Sequence, residues 1–205
     1  MTERTITTQE ELEALYASVS EIARAKEQNA LTPHYRAFVE AAPFVVISTL
    51  GPNGIDASPR GDPPGFVRIV DDKTLLIPDR RGNNRLDTLK NILHDPRISL
   101  IFLIPGVGET LRVRGQAIII QDEELAKSFT MQGKAPTTLL RITINCVYFQ
   151  CQKALARSKL WDPEAWVNRA TLPTAGEMAE ALSSEPFDGK AYDEAYPERL
   201  KQTIY

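Results

Sequence analysis

The chain has 205 residues, of which 42% are hydrophobic and 25% charged, and its formal net charge is −3. These totals describe an ordinary soluble globular protein with length for one sizeable core, and the slight acidity weighs against a nucleic-acid binder. No apolar run nears the roughly 20 residues a helical membrane span needs, and Met1-Thr2-Glu3-Arg4 lacks the apolar core of a signal peptide, so the cytoplasm is the expected compartment.

Thr8-Gln9-Glu10-Glu11 fits a capping box. Leu12, Leu15, Tyr16, Val19, Ile22 and Ala23 then recur at helical spacing, which predicts an amphipathic helix over residues 9–28 with its stripe on the core. Thr32-Pro33 reads as an N-cap followed by proline at the first helical position, opening a short helix that stops before Pro43. From Phe44 the texture is that of strands. Phe44–Leu50 is β-rich, Gly51-Pro52-Asn53-Gly54 turns, and Ile55–Arg60 returns antiparallel. After an irregular stretch over Pro59–Gly65, the runs Phe66–Val70 and Lys73–Ile77 flank Asp71-Asp72 as a hairpin. Leu86–Leu93 reads as an amphipathic helix and Arg97–Pro105 as a strongly apolar strand, and Gly106-Val107-Gly108 turns the chain. Thr110–Gln121 is a long strand with Leu111 and Val113 on one face and Arg112 and Arg114 on the other. Asp122 caps a helix through about Phe129, and Ile142–Gln152 is a further strand. Lys153–Leu160 is short and basic, Trp161-Asp162-Pro163-Glu164 starts a turn or helix, residues 174–182 fit a helix, and the tail from Pro186 is polar with tyrosines.

Six or seven strands with short links and single interrupting helices predict a mainly β, α+β fold built on a small antiparallel barrel. The expected organisation is one domain: N-terminal helices over 1–42 packed on the barrel, the barrel core over 43–165, and a helical extension over 166–205. Neither G-x-G-x-x-G nor G-x-x-x-x-G-K-[ST] is present, so any phosphate is held in another way.

That other way is suggested by Pro78-Asp79-Arg80-Arg81-Gly82-Asn83-Asn84-Arg85. A glycine-containing loop with three arginines and two asparagines lies where a strand hands over to a helix N-terminus. Unpaired N–H groups and a partial positive charge suit an anion there, and arginine grips phosphate oxygens two at a time. The loop reads either as a phosphate-binding corner or as a solvated basic turn in which Asn-Asn serves as capping chemistry. Cys146 and Cys151 fall in one expected strand at an odd separation, on opposite faces, so they do not pair with each other. His34 and His94 lack metal-ligand spacing, and no metal site is expected.

Taken in order, the run Phe44–Thr49, Ala57-Ser58-Pro59-Arg60-Gly61-Asp62, Leu76–Arg85, Asp95–Phe102, Glu109–Gly115 and Arg157-Ser158-Lys159-Leu160-Trp161 resembles the FMN-binding split barrel of the pyridoxamine 5′-phosphate oxidase superfamily, in its bacterial branch of FMN-dependent proteins. The resemblance spans roughly residues 38–165. It implies a split antiparallel β-barrel with flanking helices, FMN as cofactor, and a homodimer with FMN at the subunit interface. It also implies a small-molecule substrate or electron donor, with no nucleic acid and no membrane. On the matching positions it implies that Arg80 or Arg81, with Asn84 and Arg85, holds the FMN phosphate. Ser58, Pro59, Arg60 and Gly61 lie along the flavin ring, and Arg60 can reach its N1–C2 edge. Thr110 and Arg112 on the long strand face the cofactor, and Lys159 and Trp161 arrive from the second subunit. The implied activity is FMN-dependent oxidoreduction by hydride transfer at flavin N5. Alternatives are a non-catalytic flavin- or haem-binding protein and a nicotinamide-dependent flavin reductase. The chain departs from the true oxidase at Pro59–Pro64 and in its expanded Gly-Asn-Asn-Arg loop, which weighs against oxidation of vitamin B6 phosphates.

Overall fold

Alternating apolar and polar residues from Phe44 onward build seven strands, all paired antiparallel in one curved sheet. The computed structural model describes residues 3–205. In chain order the elements are α1 (Gln9–Glu13), α2 (Glu21–Ala25), α3 (Pro33–Ala41), β1 (Phe44–Gly51), β2 (Gly54–Gly61), β3 (Arg68–Ile69) and β4 (Thr74–Asp79). There follow α4 (Asp87–His94), β5 (Arg97–Leu103), β6 (Thr110–Ile120), α5 (Glu123–Lys127), β7 (Thr138–Gln150), α6 (Lys153–Ser158), α7 (Ala175–Leu182) and α8 (Gly189–Thr203). The sheet order is β2-β1-β5-β6-β7-β4-β3, the split antiparallel barrel with flanking helices expected from the strand pattern.

The inward-facing residues, among them Val45, Ile47, Leu75, Leu100, Phe102 and Ile142, are fully buried in one contiguous core. On β6, Leu111 and Val113 are buried while Arg114 is exposed, as the alternation requires. Between Arg114 and Gly115 the β6–β7 register slips by one residue, a bulge that bends both long strands. Thr32 caps α3 by accepting the Tyr35 amide at 3.2 Å, and α3 buries Tyr35 and Val39 against the sheet.

The structure differs from the sequence expectation at several places, and the strand expected over Phe66–Val70 is only the two residues of β3. The single helix expected over 9–28 is two five-residue helices, α1 and α2. Ser20 ends the first possibility by capping the second, accepting the Ala23 amide at 3.3 Å. The stripe finds no core: Leu15 is 66% and Ile22 78% exposed, and neither helix buries a residue. The chain returns to the barrel at Gln28, which bridges to Val147. Residues 1–2 of the expected N-terminal region lie outside the described residues. The strand expected from Ile142 starts at Thr138 and ends at Gln150, so Cys151 lies beyond it and the two cysteines do not share a strand; both are free thiols. The strand expected to end at Ile77 continues through Asp79. Within the helical extension expected over 166–205, the polar tail from Pro186 forms a helix of 15 residues, α8, capped by Asp188. Among the described residues no helix is long and apolar enough to cross a membrane.

Candidate functional site

β2 is the edge strand at one end of the sheet, and β4 lies next to the other end. β3 is only two residues long and covers β4 at Leu75 and Leu76 alone. The ends of β2 and β4 therefore meet without strand pairing. Side chains close this seam: Arg60 reaches Asp79 at 3.5 Å, and Arg80 Nε donates to Asp62 at 2.7 Å. The two pairs cross, with one cation and one anion from each side.

A cleft of about 900 Å³ opens at this seam, within the range of small-molecule and cofactor sites. Its walls are β2 from Asp56 to Arg60, the loop from Arg80 to Leu86, the first turn of α4, the segment Lys134–Thr138, and Tyr205. The loop is unusual in backbone and in capping. Asn84 and Leu86 both adopt the left-handed conformation with φ of 60°, which is costly for a bulky residue such as leucine. Leu86 occupies the N-cap of α4 and supplies no side-chain hydrogen bond, so the first amides of the helix remain open toward an incoming anion. Neither asparagine caps the helix. Asn83 Oδ1 instead accepts the Arg85 amide at 3.1 Å.

The cations of the cleft are differently engaged. Arg80 is spoken for: besides Asp62 it donates to the Phe129 carbonyl at 2.7 Å, and its guanidinium lies 5.3 Å from the Tyr205 ring centroid. Arg85 is exposed and pairs with Asp87 at 2.8 Å. Arg81 has no ion pair or hydrogen bond among the described residues and is exposed to the cleft. Lys134 Nζ donates to the backbone oxygens of Tyr205 and Gln202, at 2.7 and 3.2 Å.

Two further groups of the cleft are Thr138 and Asp79. The hydroxyl of Thr138 is buried without a hydrogen bond, and Thr138 pairs with Asp79 across β4 and β7. Burial pushes the Asp79 carboxyl above the ordinary aspartate range, and the Arg60 guanidinium opposes the rise in part. A carboxyl raised on folding binds more protons in the native than in the unfolded chain between the two pKa values. Its contribution to stability is therefore lost as pH rises through that interval.

Residues 31–151 match the protein family described as pyridoxamine 5′-phosphate oxidase. The chain belongs to that family. No curated protein matches it in sequence. Among solved structures it is similar to HupZ of Group A Streptococcus, at 18% identity and a TM-score of 0.48, over 57% of this chain and 91% of that one. It is also similar to a general stress protein 26-related protein of the pyridoxinephosphate oxidase family from Clostridium acetobutylicum, at 16% identity and a TM-score of 0.45, over 58% and 86%. An F420 reductase matches at 16% identity and a TM-score of 0.42, over 58% and 98%.

In this oxidase-family chain, Ser58, Pro59, Arg60, Arg80, Arg81, Asn84 and Arg85 converge on the cleft. Gly61 lines a smaller adjoining pocket of about 430 Å³ that shares Pro59, Arg60, Arg80 and Tyr205. A single chain does not bring Thr110, Arg112, Lys159 or Trp161 there. Thr110 and Arg112 lie on β6, separated from β2 by β1 and β5; Thr110 is buried and Arg112 stacks at 5.5 Å over Tyr148. Lys159 is 4.0 Å from Asp162, and Trp161 Nε1 donates to the Val107 carbonyl at 2.8 Å. Sequence reasoning missed Asp62, Asp79, Lys134, Thr138 and Tyr205. Asp62 and Asp79 stood inside the motifs that marked the site, but only the meeting of β2 with β4 gives them a role.

Proposed function

We propose that this protein is an FMN-dependent oxidoreductase acting on a small substrate. The observation that carries the reading is the convergence of uncommitted Arg81, paired but exposed Arg85 and the uncapped start of α4 beside the free edge of β2. The residues present fit the cofactor. Arg81, Asn84, Arg85 and the α4 amides would hold its phosphate, while Arg80 shapes the loop through Asp62 and Phe129. The β2 segment Ser58–Gly61 would border the ring, with Arg60 as a charge near its polar edge. Bound FMN supplies hydride transfer at N5, so no side-chain nucleophile is required. Neither His34 nor His94 lines the cleft, which favours this reading over a haem protein.

The test is a visible absorption spectrum of the purified protein and of Arg85→Ala. Arg85 has a side chain 74% exposed, so its removal leaves the fold intact. Flavin bands are expected in the wild type, and FMN retention about tenfold weaker in the variant, the loss of one charge-assisted phosphate contact. No flavin bands, even after soaking with FMN, would overturn the reading.

We also propose a homodimer. Support comes from apolar side chains that the single chain leaves uncovered, including Leu15, Tyr16 and Ile22 before the barrel and Trp166, Val167 and Leu182 after it. In this arrangement Lys159 and Trp161 of a second copy complete the cleft. Light scattering should give twice the chain mass; a monomer at working concentration would remove both the dimer and that shared role.

A further inference from the structure

The two crossed ion pairs of the barrel seam are not equivalent. Asp62 has a side chain only 1% exposed and accepts from Arg80 Nε at 2.7 Å and from the Tyr205 hydroxyl at 2.6 Å. Asp79 has a side chain 15% exposed, accepts no hydrogen bond among the described residues, and faces Arg60 at 3.5 Å, outside good hydrogen-bond geometry. With both carboxylates ionised the four seam side chains are neutral in sum. With Asp79 protonated they carry one net positive charge at the seam.

We propose that Asp79 is a protonation switch on the anion site: neutral, it leaves the cations of the shared cleft unopposed; ionised, it offsets them and weakens binding of a dianion. The inference rests on the phosphate-binding half of the function proposed above and not on the flavin ring.

The surrounding charges single out Asp79. Arg60 on β2 is its ion-pair partner, Asp56 of β2 lines the same cleft, and Asp62 beyond β2 lines the adjoining pocket. The loop after β4 supplies Arg80, Arg81 and Arg85, α4 supplies Asp87, and Lys134 and Tyr205 close the far side. Asp56 is exposed, and Asp87 is 44% exposed and paired with Arg85. Asp62 is bonded twice. Asp79 alone combines burial with an unfilled acceptor, and burial moves its titration upward, with the Arg60 guanidinium opposing in part.

The test uses the full chain freed of bound small molecules, with sulfate as probe, because sulfate keeps its charge between about pH 4 and 8. Calorimetric titration should show sulfate affinity falling about threefold to tenfold as pH rises through the Asp79 titration, the effect of one charge in the same cleft. In Asp79→Asn the affinity should stay flat at the low-pH value. In Asp56→Asn the fall should persist. Carbon NMR of the Asp79 carboxyl in the wild type gives a measurement independent of any variant. Its pKa should rise when sulfate is added, since linkage is reciprocal. An undiminished fall in Asp79→Asn, or a carboxyl pKa indifferent to sulfate, would overturn the switch while leaving the phosphate corner standing. Absence of sulfate binding at every pH would overturn the phosphate corner itself, and the switch with it.

Discussion

Replacing Asp62 with alanine should lower folding stability by about 3–5 kcal/mol, among the largest single effects available in this chain. The carboxylate is 1% exposed and its partner Arg80 16%, so removal leaves a largely buried guanidinium with the Phe129 carbonyl as its remaining hydrogen-bond acceptor among the described residues. Tyr205 loses its acceptor at the same time. The hydrogen bond to Asp62 is the main reason the Tyr205 hydroxyl titrates above the ordinary tyrosine range. Two measurements check the prediction. Urea denaturation gives the stability change, and spectrophotometric titration should show one tyrosine returning toward its usual pKa. A loss under about 1 kcal/mol would mean that the seam is held by backbone packing and not by charge.

The second large effect is expected at Gly115. A Cβ built there would collide with the backbone carbonyl of Thr143, an obstacle that no rotamer change can remove. Gly115 lies at the bulge where β6 changes register against β7, and these are the two longest strands of the barrel. Gly115→Ala should cost about 2–4 kcal/mol through forced separation of the two strands. Gly82→Ala is the matched control. A Cβ at Gly82 meets nothing within 4 Å, so its effect on stability should stay within about 0.5 kcal/mol. Thermal denaturation of both variants decides the matter; equal melting temperatures would show that the bulge tolerates a side chain.

The strands were legible because burial imposes alternation. Leu111 and Val113 against Arg112 and Arg114 display the period of two without ambiguity, and the barrel fills from that side. The first helix was misread for the converse reason. Its period is helical, but Leu12 to Ile22 meet no core, and spacing alone carries no burial energy. α8 falls within the helical extension expected over 166–205, but its bounds were not legible because Pro197 lies inside it and its faces are mostly polar. Its tyrosines pack on one another and on Arg199 and not on the barrel. The extra two residues of β4 went unread because proline normally closes a strand. Pro78 is tolerated because β3 stops short of it, so no neighbour on that side waits for the missing N–H. At the site, residue types sufficed to mark the arginine loop. They could not show that Arg80 is already occupied, since its partners Asp62 and Phe129 are 18 and 49 residues away in sequence.

β2 has one further consequence. It is eight residues long, forms the end of the sheet, and carries Ile55 82% exposed. Such an edge is a template on which a strand from another molecule can grow, the first step of edge-to-edge aggregation. Pro59 sits within it, and proline is accommodated in edge strands where its absent N–H leaves a gap in the row of donors. The residue that borders the cleft thus also guards solubility. A chain altered only at Pro59 could keep every cation of the site in place and still be lost to inclusion bodies before it bound anything.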